Sequence, residues 1–350
     1  MSSGQLPARL GSVAADARGR AFLPIVVAGA VILVIPQIWF ASSEYTTGLA
    51  VQALEFAAYA IGFNLIFGST NQLFLCVGAL AGLGGYATGI LSDHASLPIW
   101  AGIATGTAAA AFVGGLLSWV AVRRSLGVIF TGIVTLAFSL GFQDLLLGQE
   151  HLTGGSTGQV VTGAATSLAD TRLGGYYLFA AVVIAFLLVF RLLQISHVGW
   201  AFRALRDDET AAELAGVNVA RYRIIAAVVG SAMIGLTGAL YAYSDGFISP
   251  PVFAFDQIDV KVLVLVAFGG LGTLLGPLIG AVVFAFVDNA LVNSGQVREL
   301  IYGAIVVAIF LSFRRGFVPA LVDVAGRFVR QRGSPVKWTF RGRRRDRGHP

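Results

Sequence analysis

Apolar stretches close to the length of a bilayer crossing recur along almost all of this chain, and that recurrence restricts its fold more than any other feature. They occupy about residues 21–40, 48–67, 74–91, 99–121, 127–147, 175–193, 224–244, 257–290 and 300–313. A hydrocarbon core about 30 Å thick takes roughly 20 residues of helix, and inside it every backbone polar group must find its partner within the protein. Helices meet that condition locally, so the pattern predicts an all-α fold, a polytopic transmembrane helical bundle. The composition agrees. Of the 350 residues 56% are hydrophobic and 12% charged, and the mean hydropathy is +0.79, a balance foreign to a protein whose whole surface faces water.

Arginine sets the orientation. The N-terminal segment with Arg9, Arg18 and Arg20, the pair Arg123 and Arg124, the stretch 203–223 and the tail are basic, whereas 41–47, 92–98, 148–173 and 245–256 hold almost no Lys or Arg. The positive-inside rule puts the basic segments, and so both termini, in the cytoplasm. Nine crossings would strand the arginine tail outside, so parity asks for about ten spans (8–10), with 257–290 crossing twice. A break stands at the right place: Gly269-Gly270-Leu271-Gly272, then Gly276-Pro277. The rival count makes this run one re-entrant excursion. The chain thus divides into a cytoplasmic segment 1–20, a membrane domain 21–316 and a basic cytoplasmic tail 317–350. The first 20 residues are too polar for a cleavable signal, so the first span is expected to remain as an anchor. The net charge of +6 lies largely in the tail, which reads as an end facing anionic membrane lipid rather than a nucleic-acid surface. Glycines spread through the spans let helix backbones approach closely.

Little in the chain suggests catalysis. His94, His151, His197 and His349 have no metal-ligand spacing, no GxxxxGK[ST] phosphate loop is present, and Gly269–Gly272 follows no strand, so no catalytic site, cofactor or metal is expected. Cys76 lies in an apolar run and reads as a small hydrophobe. Polar groups inside the runs are more informative: Gln52, Glu55, Asn64, Gln143, Asp144, Asp259 and Lys261. Such groups are costly in hydrocarbon and face a bundle interior, a partner or water. Gln52, Glu55 and position 59 share a helix face, where they either line a pathway or pack helices through hydrogen bonds. Asp259 and Lys261 sit near the external end of their run, where snorkelling or an ion-pair network costs little.

The stretch Arg203–Arg223 is dense in mixed charge between two greasy runs. Asp207, Asp208 and Glu209 suit a helix N-terminus, Glu209–Ala215 are good helix formers, and Gly216 can supply a left-handed stop. The pattern predicts a short internal helix. It is either a solvated loop or a docking element, with Ala211, Ala212 and Ala215 permitting close approach and Glu213 offering a charge.

These segments resemble the integral-membrane permease subunits of ABC importers for branched-chain amino acids, particularly the M-type of the two partner permeases, over most of residues 45–320. The resemblance rests on Ala60-Ile61-Gly62-Phe63-Asn64-Leu65-Ile66-Phe67-Gly68, Gln72-Leu73, Gly85-Tyr86-Ala87, Thr135-Leu136-Ala137-Phe138 and Leu152-Thr153-Gly154-Gly155-Ser156-Thr157-Gly158. It rests equally on Gly199, Arg203–Asp207, Ala211–Glu213, Gly216-Val217-Asn218, Arg221-Tyr222, Gly269–Thr273, Gly276-Pro277, Gly280, Tyr302-Gly303 and Phe313–Gly316. The chain departs from the family pattern over Gly68–Val77, near the implied translocation path, where Phe74 and Val77 are bulkier or less polar.

The resemblance implies a type II importer-like permease in the cell membrane, non-enzymatic itself, moving a branched-chain amino acid or similar small polar solute inward. It implies as partners a second, H-type permease, two cytoplasmic ABC ATPases and an extracytoplasmic solute-binding protein. The loop 195–223 would then be the coupling element, with Arg206, Asp207, Asp208, Glu209, Ala211, Ala212, Glu213 and Gly216 at the ATPase contact. Gln52, Glu55, Asn64, Gln72 and Phe74 would line the pathway. A stand-alone secondary transporter or channel, and an ABC permease for urea or short amides, remain open alternatives.

Overall fold

The computed structural model describes residues 22–34, 36, 44–94, 98–161, 172–291 and 303–304. The segment 1–20, nearly all of the run 300–313, the motif residues Tyr302 and Phe313–Gly316, and the tail 317–350 lie outside the described residues.

The described chain is overwhelmingly helical, as the apolar runs require. Helix α1 spans Phe22–Val34 and α2 Glu44–Thr70, about 40 Å of helix at 1.5 Å per residue. They are followed by α3 (Val77–His94), α4 (Ile99–Arg123), α5 (Val128–Gly148) and a single turn α6 (Glu150–Thr153). Then come α7 (Arg172–Ile195), α8 (His197–Asp207), α9 (Glu209–Leu214), α10 (Val219–Asp245), α11 (Asp259–Gly269) and α12 (Gly276–Leu291). Among the described residues five helices are long and apolar enough to cross a membrane: α2, α4, α5, α7 and α10. The run 257–290 is two short helices, α11 and α12, broken at the glycines that the sequence singled out. Among the described residues only β1 (Gln159–Val160) and β2 (Phe247–Ile248) are strands rather than helix or loop. They pair antiparallel, with Gln159 opposite Ile248, as a clasp between two loops at one end of the bundle.

Helices α2 and α10 form the centre. α10 packs on α4, α3 and α2, while α2 also meets α7, α12 and α11. Small residues bring these axes together. A Cβ on Gly84 of α3 would collide with the carbonyl oxygen of Gly235 in α10, and a Cβ on Gly106 of α4 would collide with that of Gly84. Three helices therefore touch backbone to backbone at one point, a contact open only to glycine. The periphery is the reverse of a soluble protein's: Phe112, Ile129, Phe130, Ile133, Leu188 and Phe286 are exposed. Those faces meet hydrocarbon without penalty, whereas water would not accept so large an apolar surface.

Helix α3 does not begin where its apolar run does. Residues 71–76 are non-helical, with Asn71 at φ 56°, so α3 starts inside the bundle at the fully buried Val77.

Candidate functional site

Two features collect most of the residues singled out above. The first is a cavity of about 510 Å³. Gln52, Glu55, Phe56 and Tyr59 face it from α2, at the i, i+3, i+4, i+7 spacing that aligns one side of a helix. Gln143 of α5, Tyr241 of α10, Pro251, Val252, Ala254, Asp256, Gln257 and Ile258 of the loop before α11, and Lys261 of α11 complete the wall. Lys261 Nζ donates to Gln257 Oε1 at 2.9 Å and stands 5.8 Å from the Phe56 ring centroid. The wall thus offers carboxylates at Glu55 and Asp256, an ammonium at Lys261, amides at Gln52 and Gln143, and three aromatic rings. It can receive a small molecule that carries charge of either sign beside an apolar part.

Of the five residues that the sequence placed on a pathway, the structure brings only Gln52 and Glu55 to this cavity. Asn64 is buried on α2 and clasps the loop between α11 and α12: its Nδ2 donates to the Thr273 carbonyl at 2.9 Å, and its Oδ1 accepts from Gly272 N–H at 2.7 Å. Gln72 is buried and accepts from the Ser118 hydroxyl at 3.0 Å. Phe74 is wholly enclosed in the hydrophobic core. Gln143 and Lys261, which the sequence marked only as polar groups inside apolar runs, belong to the cavity wall. Asp259 and Lys261 take separate roles, since the Asp259 carboxylate accepts the backbone N–H groups of Val77 and Gly78 at the buried start of α3.

The second feature is an elbow between α7 and α10. Helix α8 buries Gly199, Ala201, Phe202 and Leu205 against the bundle, with Phe202 edge-on to Tyr222 of α10. Its apolar residues fall at i, i+3, i+4 and i+7 from Val198, a signal present in the sequence but passed over for the charge around it. Asp208 ends α8 and caps α9, its carboxylate accepting Ala211 N–H at 3.0 Å. Gly216, at φ 85°, makes the left-handed turn after α9, and Asn218 caps α10 through Arg221 N–H. Glu209 and Arg223 close the elbow with an ion pair at 2.7 Å. Gly216 thus makes the stop where the sequence put it, and Asp208 and Glu209 the acidic start, whereas Asp207, expected beside them at a helix beginning, is the last residue of α8.

The outer side of the elbow presents Asp207, Asp208, Glu209, Ala211, Glu213, Ala215 and Gly216. Leu214, which the sequence reading missed, stands 86% exposed at the tip. Ala212 departs from its expected place on this surface: it is buried, because one side of so short a helix must face the bundle. Arg206 turns away from the tip and lays its guanidinium against Gly272, where a Cβ would strike Nη1.

A family profile described as the permease component of branched-chain amino acid transport systems matches residues 45–311. The chain belongs to this family. It is a LivM-like ABC permease, a multi-pass inner-membrane protein, and its family is one of transport subunits. The LivM permease protein of the high-affinity branched-chain amino acid transport system of Salmonella typhimurium is 27% identical over 316 residues, covering 82% of this permease and 73% of the relative. The LivH permease protein of the same system and organism is 21% identical over 75% of this permease and 91% of its own length. The autoinducer 2 import permease LsrC of Salmonella paratyphi B is 26% identical over 67% and 66%. No solved structure matches the chain significantly.

Proposed function

We propose that the permease is the translocating subunit of an ABC importer that moves branched-chain amino acids, or a solute of similar size and charge, into the cell, driven by separate ATPase subunits. The observation that carries this reading is the elbow. A capped, ion-paired unit continuous with α7 and α10 displays Glu213 and Leu214 outward, and a push at its tip reaches α10, against which α2, α3 and α4 all pack. Such a lever has a use only if another protein grips it. The elbow end is then cytoplasmic, the β-clasp end external, and Asp207, Asp208, Glu209, Ala211, Glu213 and Gly216 belong to the ATPase contact.

In this reading the chain makes about ten crossings with both termini inside, arranged as segment 1–20, membrane domain 21–316 and tail 317–350. It pairs with an H-type permease, a partnership suggested by similarity to both LivM and LivH proteins, and receives solute from an external binding protein. The cavity at Glu55 and Lys261 serves as the way station for a zwitterion, with one charged group near each ionic pole and the side chain toward Phe56 and Tyr59.

Reconstitution tests the proposal. Vesicles carrying this chain, an H-type permease and the two ATPases should accumulate leucine when ATP and the binding protein are supplied. Vesicles carrying this chain alone should not. Unaided accumulation by the single chain would overturn the assignment in favour of a secondary transporter.

A further inference from the structure

Arg206 reaches from α8 to the break between α11 and α12, a contact that the lever described above does not use. Its guanidinium lies against Gly272, which stands at φ 71°, and a Cβ there would collide with Nη1. A side chain at 272 is thus excluded twice, by the backbone conformation and by the space that the arginine fills. The Gly68 carbonyl of α2 borders the same point, and Asn64 of α2 holds Gly272 N–H and the Thr273 carbonyl. The elbow, α2 and the turn after α11 therefore close on one place.

The turn is stiff. The Thr273 hydroxyl donates to the Gly270 carbonyl at 2.7 Å and accepts Gly276 N–H at 3.1 Å, and the backbones of Gly269 and Gly276 touch. A displacement at Gly272 therefore passes into α11, because hydrogen-bonded turns and helices carry motion as rigid parts. About 16 Å away, at 1.5 Å per residue, the other end of α11 carries Lys261 on the cavity wall and Asp259 on the first N–H groups of α3. Helix α11 packs chiefly on α12, α2 and α3, so the Lys261 side of the cavity lies off the route through α10. We propose that Arg206 is a positioning residue that transmits motion of the elbow to α11, so that the Lys261 wall of the cavity moves when the ATPases push. The inference rests on the importer reading and adds to it a second line of transmission.

Cysteine labelling of the assembled transporter tests this. Gln257, just before α11, and Asp245, at the end of α10, are exposed, and Cys76 is buried and does not compete for the reagent. Gln257→Cys and Asp245→Cys should each react with a water-soluble maleimide at rates that differ between the nucleotide-free and ATP-bound assembly. Arg206→Ala should abolish the difference at Gln257→Cys and keep it at Asp245→Cys. It should also lower the leucine delivered per ATP hydrolysed about tenfold, within the range for changes along coupled networks. Arg206→Lys, which keeps the charge and most of the length, should restore part of both. An arginine that merely supported the fold would change the amount of assembled transporter but neither the labelling difference nor the ratio. No difference at Gln257→Cys in active wild-type assemblies, or one that persists in Arg206→Ala, would overturn the proposal. So would loss of ATPase binding by Arg206→Ala, which would return the side chain to the ATPase contact. Wild-type assemblies that bind no ATPase would defeat the importer reading, and this inference with it.

Discussion

The carboxylate of Asp259 accepts the backbone N–H of Gly78 at 3.1 Å, across 181 residues of chain, and takes that of Val77 as well. Helix α3 starts inside the bundle, so its first N–H groups have neither an intrahelical acceptor nor water to satisfy them. A carboxylate on the first turn of α11 meets that need and joins two helix beginnings at one buried point.

Replacing Asp259 with Ala should therefore lower stability by about 1–3 kcal/mol for each stranded donor, and Asp259→Asn, which keeps one acceptor oxygen, by less. The midpoint of thermal unfolding of the purified protein in detergent measures this. Equal midpoints for wild type and the Ala variant would refute the role.

Gly84→Ala should destabilise by about 1–3 kcal/mol, because the added methyl enters the Gly235 carbonyl and the helices have to separate. Gly141→Ala is the control: nothing lies within 4 Å of a Cβ there, and the change should be neutral or stabilising by up to about 1 kcal/mol. Yields of monodisperse protein and unfolding midpoints for the two variants should diverge accordingly.

At the elbow, Glu213→Arg and Leu214→Ala should leave membrane insertion unaltered yet weaken ATPase docking by about 1 kcal/mol or more, roughly fivefold in affinity. Gly216→Val should be worse, since a β-branched residue at φ 85° costs about 1–2 kcal/mol and unseats the end of α9. Pull-down of the ATPases and ATP-dependent uptake read both effects. Normal uptake by Glu213→Arg would remove that side chain from the contact.

In the cavity, Glu55→Gln and Lys261→Gln should each raise the solute concentration for half-maximal uptake about tenfold, the value of one charge-assisted hydrogen bond. Vesicles with matched amounts of assembled transporter should show it. If half-saturation stays put while the maximal rate falls, these residues govern movement rather than solute binding.

Much of the elbow was legible in the sequence because its determinants are local. An acidic cap, a run of helix formers and a glycine stop act within one or two turns, and Asp208, Glu209 and Gly216 perform those parts. What escaped was orientation. Whether Ala212 faces inward, or Arg206 turns toward Gly272, depends on the bundle behind the elbow. Asn64 makes the same point more sharply. An amide in an apolar run could face a solute path or a neighbouring loop, and the choice was made by the Gly270–Gly272 turn, whose backbone needed a partner where Asn64 stood.

Apolar length, arginine distribution and glycine breaks determined that this chain would be a helical membrane bundle, because the energy of placing backbone and charge in hydrocarbon depends on each segment alone. The tertiary structure decided which polar residues line a cavity and which serve as fasteners. A buried polar group takes whichever partner the packing presents, and that partner can lie two hundred residues away.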